Sequence, residues 1–201
     1  MQFVAVLEIA LFLILPLIFF YQRSGLDWKR YVVLIVILYV VWYLTYALLH
    51  ESMHMLGVVL VHKTIQSYQL IPHFWSGEFG TGYVNYGFVG DKADLLVMMA
   101  PYIRDVLFAI VGYILYRKKI FATPFLVGLL LVIFVFSPLF DMANNYLAYV
   151  LGSRNDFNAM RVCSSPLVPH VAGIVGLSVI LLCSYLVIRD KPSLATVSDT
   201  A

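Results

Sequence analysis

Residues 31–61 read YVVLIVILYVVWYLTYALLHESMHMLGVVLV. Nothing charged stands between Arg30 and His50, and a spanning helix needs about 20 consecutive apolar residues. This run is therefore a membrane helix by length alone. Its second half then breaks the rule that such helices stay apolar. His50, Glu51 and His54 stand inside it, where a translocon-type scale charges about 2.5–3.5 kcal/mol for a central acidic residue and where ionisable groups are functional by default.

Working outward, four more apolar stretches appear, so that the set lies near 2–22, 31–61, 93–116, 120–151 and 167–188. Of the 201 residues 62% are hydrophobic and 12% charged, with a mean hydropathy of +0.91. A soluble domain carries about 25% charged residues, so too few remain to cover a water-facing surface. The expected fold is an all-α polytopic membrane protein of about five transmembrane helices, forming a single membrane domain over 1–201. The first stretch lacks a basic leader and a small-residue cleavage site, and reads as a retained helix rather than a signal peptide.

The long polar connection, Lys63 to Lys92, contains TIQSYQLIPHFWSGEFGTGYVNYGF. Its aromatic and β-branched residues with interspersed glycines suggest a short β-hairpin-like segment between helices 2 and 3; an interfacial aromatic loop is the other reading. A net charge of +2 without a basic stripe gives no reason to expect nucleic acid. Cys163 and Cys183 suggest no disulfide framework. Arg23, Lys29, Arg30, Arg117, Lys118, Lys119, Arg189 and Lys191 fall on one side of a five-helix arrangement, and Lys63, Lys92, Arg154 and Arg161 on the other. That bias favours an outside N-terminus and a cytoplasmic C-terminus in a plasma (inner) membrane.

His50-Glu51-Ser52-Met53-His54 is an HExxH motif. Residues at i and i+4 share a helix face, so both imidazoles can bind one zinc ion, and Glu51 beside them can act as general base. Zinc lowers the pKa of bound water to about 7. A catalytic zinc usually takes three protein ligands, and Asp141, in Phe136-Ser137-Pro138-Leu139-Phe140-Asp141, is the expected third. Arg30 to His50 is 20 residues and Lys119 to Asp141 is 22. At 1.5 Å per residue each rises about 30–33 Å from the same face. Asp156 is the rival ligand, in a loop that would have to fold back. Asn144 and Asn145 are candidates to orient the carboxylate or hold substrate backbone. Arg104 is a candidate ion-pair partner for Asp105 or Asp141, or a group for a substrate carbonyl. His62, His73 and His170 read as solvated.

On these residues the chain resembles the site-2 protease family of intramembrane zinc metalloproteases. The resemblance covers about 31–151, leaving 1–30 and 152–201 as additional helices and tail. His50, Glu51 and His54 match the family's HExxH, and Asp141 its third-ligand aspartate. Residues 64–89 resemble its β-structured segment. Ala100-Pro101-Tyr102-Ile103-Arg104 resembles its Gly-Pro-x-x-Asn motif, with Ala100 and Arg104 departing from it. The resemblance implies an endopeptidase that cuts a transmembrane or juxtamembrane segment of a membrane protein substrate within the lipid bilayer. Two other functions fit the residues: a metal-dependent hydrolase of lipid-linked or small substrates, and a non-catalytic protein in which the polar cluster packs helices.

Overall fold

The computed structural model describes residues 2–24, 26–71 and 82–190. Among the described residues five helices are long and apolar enough to cross a membrane: α1 (Val6–Arg23), α2 (Trp28–Leu60), α3 (Lys92–Arg117), α4 (Pro124–Val150) and α6 (Leu167–Arg189). Between α2 and α3 lie β1 (Ile65–Gln69) and β2 (Tyr83–Tyr86), an antiparallel pair. The expected all-α fold with a small β segment is thus present. Part of that segment, including His73, lies outside the described residues. A short helix, α5 (Asp156–Cys163), occupies what the sequence suggested was a loop.

Local chemistry sets the helix boundaries. Asp91 accepts from Asp94 N–H and completes a capping box at the start of α3. Thr123 caps α4 and Asn155 caps α5, each accepting from a backbone N–H of the first turn. At the end of α4, Gly152 adopts φ +85° while Ser153 N–H returns to the Ala148 carbonyl, a left-handed stop that glycine makes at little cost.

Prolines shape the spans. A proline inside a helix lacks a donor, and its ring crowds the carbonyl four residues earlier. Ahead of Pro16 and Pro138 the helix widens into single π-turns, Ala10–Ile14 and Val132–Phe136. Leu15 N–H there reaches the Ala10 carbonyl, and Ser137 N–H the Val132 carbonyl. Pro101, inside α3, has no such turn before it.

α4 is the central helix: 72% of its apolar window is buried inside the protein, against 22–50% for the other four. On one side it packs with α1 and the first half of α2 through Leu17, Phe20, Leu38, Trp42, Leu131 and Phe136. On the other, Leu139 and Met142 meet Tyr102 and Ala109 of α3, Phe157 and Met160 of α5, and Ile180 of α6. The outward faces stay apolar, as along α2 at Val33, Val36, Val40 and Leu44. A stripe of that kind suits hydrocarbon rather than water.

Candidate metal centre

The site lies where α2, α3, α4 and α5 converge. His50 and His54, one helical turn apart on α2, are both buried. His54 Nδ1 lies 2.9 Å from the Val97 carbonyl of α3. A carbonyl only accepts, so Nδ1 carries the proton and Nε2 presents a lone pair. His50 Nδ1 lies 2.7 Å from Asp141 Oδ2 and, against a carboxylate, is likewise the donor. Both Nε2 atoms are thereby turned the same way, 3.2 Å apart.

The third corner is Asp156, at the start of α5. Its Oδ2 lies 3.2 Å from His50 Nε2 and 3.1 Å from His54 Nε2, and these three residues form a group that can hold a metal ion. Tetrahedral zinc with bonds of about 2.0–2.2 Å sets its ligand atoms about 3.3–3.6 Å apart. The observed triangle is close to one face of such a tetrahedron. Two bare nitrogens and a carboxylate oxygen directed at one point repel unless a cation or a proton lies between them, so the donor set fits a metal.

The third-ligand expectation for Asp141 does not match this geometry. Asp141 is fully buried, and both its oxygens are already engaged. Oδ2 accepts from His50 Nδ1 and, at 2.9 Å, from Arg104 Nη2. Oδ1 accepts from Tyr46 at 3.0 Å and from Asn145 Nδ2 at 2.9 Å. A carboxylate offers about four lone-pair sites, so none remains for an ion. Asp141 is instead the anion behind a histidine, which fixes the ring and its tautomer. Asp141 does stand at the depth of His50, but it meets the ring edge opposite the one that faces Asp156.

The remaining predicted residues divide. Asn145 touches Asp141 and, through its backbone carbonyl, receives Asn155 Nδ2 at 2.6 Å. That bond ties the far part of α4 to the start of α5 and so to Asp156. Asn144 is half-buried and its side chain makes no hydrogen bond among the described residues. Arg104 is an ion-pair residue, bonded through Nε and Nη2 to Asp105 Oδ1 and through Nη2 to Asp141. Its Nη1 and Asp105 Oδ2 are buried without partners among the described residues. Glu51 is half-buried beside the triangle. A Cβ at Gly82 would lie 2.6 Å from Glu51 Cγ, so the chain entering β2 passes directly over this side chain.

His62 is exposed, as expected. His170 is not simply solvated: it is half-buried, with Nδ1 3.2 Å from the Tyr146 hydroxyl and its ring against Tyr149. Two site residues escaped the sequence reading. Tyr102 donates to Asp156 Oδ2 at 2.8 Å, and Tyr46 to Asp141. Tyr46 precedes His50 by four residues, and that spacing was an available signal. Tyr102 follows Pro101 directly and carried no such cue.

No protein-family model matches the chain, and no curated protein or solved structure does. What fold and site define is a five-helix polytopic chain with a His-His-Asp group, its histidines buried and its aspartate half-buried, suited to a metal ion.

Proposed function

We propose that this protein is a zinc-dependent intramembrane endopeptidase, acting on a transmembrane or juxtamembrane segment of another membrane protein. One observation carries the reading: His50 Nε2, His54 Nε2 and Asp156 Oδ2 form a 3.1–3.2 Å triangle, with Glu51 next to the first of them. Bound there, zinc supplies a Lewis acid and a water acidic enough to attack at neutral pH. Glu51 accepts the proton of the attacking water and returns it to the leaving amine. Asp141, Arg104 and Tyr46 hold His50 in place, and Tyr102 holds Asp156.

The substrate has to be extended at this point, because a helix bonds all its own amides and hides its carbonyls. Support for an extended peptide comes from β2, which begins beside Glu51. Among the described residues β2 pairs on one side alone, with β1, and along its other edge a peptide can add as a further strand.

The basic end of the bundle, with Arg23, Lys29, Arg30, Arg117, Lys118, Lys119 and Arg189, faces the cytoplasm in this reading. A reporter fused within 117–119 then reads cytoplasmic, and an external reading reverses the orientation.

The test of function uses the full chain in nanodiscs, loaded with zinc and given a single-span substrate. The expected result is cleavage that Glu51→Gln abolishes while zinc stays bound, since glutamine keeps the shape but accepts no proton. Cleavage undiminished by Glu51→Gln, or hydrolysis of lipid-linked substrates alone, overturns the reading.

A further inference from the structure

An α-helical carbonyl ordinarily receives the N–H four residues later. For Val97 that partner is residue 101, which is proline and has no N–H. Pro101 lies inside α3 and is itself buried, so the Val97 carbonyl would be left without its helical donor in a dry interior. A buried polar group without a partner is costly, because it gives up its bonds to water and gains none in return. The group that satisfies it comes from another helix: His54 Nδ1, at 2.9 Å.

A second feature makes that reach possible. Gly57 is one turn beyond His54 on α2, and a Cβ there would lie 2.9 Å from Val97 Cα. The backbones of α2 and α3 therefore touch at this crossing, which brings His54 to the free carbonyl. Among the described residues His54 has no carboxylate behind it, as His50 has Asp141. The Val97 carbonyl is what fixes its tautomer.

We propose that Pro101 is a positioning residue of the metal centre: by withholding an N–H it reserves the Val97 carbonyl for His54 Nδ1, which commits His54 Nε2 to the metal. This rests on the metal reading above for its purpose, but not for its geometry. The proline is thus a device of the site, where on sequence it would pass for a helix kink.

Pro101→Ala is the direct test. Alanine suits a helix and restores the N–H, which then competes for the Val97 carbonyl. In metal-stripped full-length protein carrying ¹⁵N-labelled histidine, His54 is expected to shift from a pure Nδ1–H tautomer to a mixture. Zinc and cobalt affinity, read by chelator competition, is expected to fall about 10–100-fold, the usual cost of losing a partner behind a metal-bound histidine. A backbone ester at 101, made by installing the α-hydroxy analogue of alanine, removes the N–H without the ring. It is expected to retain both the tautomer and the affinity. Pro16→Ala, in α1, is the control for losing a helix proline and leaves both readings unchanged. If Pro101→Ala keeps the wild-type tautomer, or the ester behaves like the alanine variant, the proposal is wrong. If wild type binds neither metal, the metal reading fails, and the tautomer comparison still decides the role of Pro101.

Discussion

Asp141 Oδ2 meets His50 Nδ1 at 2.7 Å, on the ring edge opposite the one that faces Asp156. The two carboxylates therefore hold the same imidazole from its two sides and do different work. One orients the ring; the other shares its target.

The division has a measurable consequence. His50→Ala, His54→Ala and Asp156→Asn each remove one corner of the triangle, and each is expected to empty the site at micromolar zinc. Asp141→Asn removes only the group behind the ring, and is expected to weaken affinity about 10–100-fold. Metal content of the four purified variants checks this. A protein emptied by Asp141→Asn but not by Asp156→Asn would reverse the two roles.

How much of this was legible in the sequence follows from range. The five spans and the HExxH motif are local properties, written in runs of apolar residues and in an i, i+4 spacing, and the structure carries them at nearly the expected positions. The carboxylates are another matter. Asp141 and Asp156 both stand within reach in the chain. Choosing between them depends on α5 folding back, which Asn155 secures by capping that helix and bonding the Asn145 carbonyl. No periodicity encodes such a turn. The role of Tyr102 was hidden for the same reason, since its partner is 54 residues away.

Tyr102→Phe is expected to keep the fold, because its ring contacts with His50 and Phe157 survive. What goes is the donor that aims Asp156. Zinc affinity is expected to drop about tenfold, with little change in thermal stability. An unfolded variant, or one with wild-type affinity, would show that the hydroxyl has another purpose.

Gly128 tests the opposite end of the bundle. A Cβ there would lie 2.0 Å from the Tyr21 hydroxyl oxygen and 2.6 Å from Leu38 Cδ1. The Tyr21 hydroxyl donates to the Pro124 carbonyl at 2.9 Å, so a side chain at 128 displaces a ring and breaks a bond between α1 and α4. Gly128→Val is expected to cost about 1–3 kcal/mol through overpacking. It is read as a lower unfolding temperature in detergent, with zinc content of the folded fraction unchanged.

The π-turn at Val132–Phe136 makes α4 sensitive to length as well as to the packing of its side chains. Such a turn takes up one residue more than an α-turn does, and each residue of an α-helix advances about 100° around the axis. Everything beyond the turn is therefore rotated by that angle relative to an unbroken helix. In this register Asp141 faces His50, and Asn145 reaches Asp141. Any apolar residue in those five places preserves the hydropathy of the span. Removing one of them preserves it too, yet would swing the carboxylate a quarter-turn or more out of register. The first half of α4 thus works as a spacer, whose count matters to the chemistry as well as its packing.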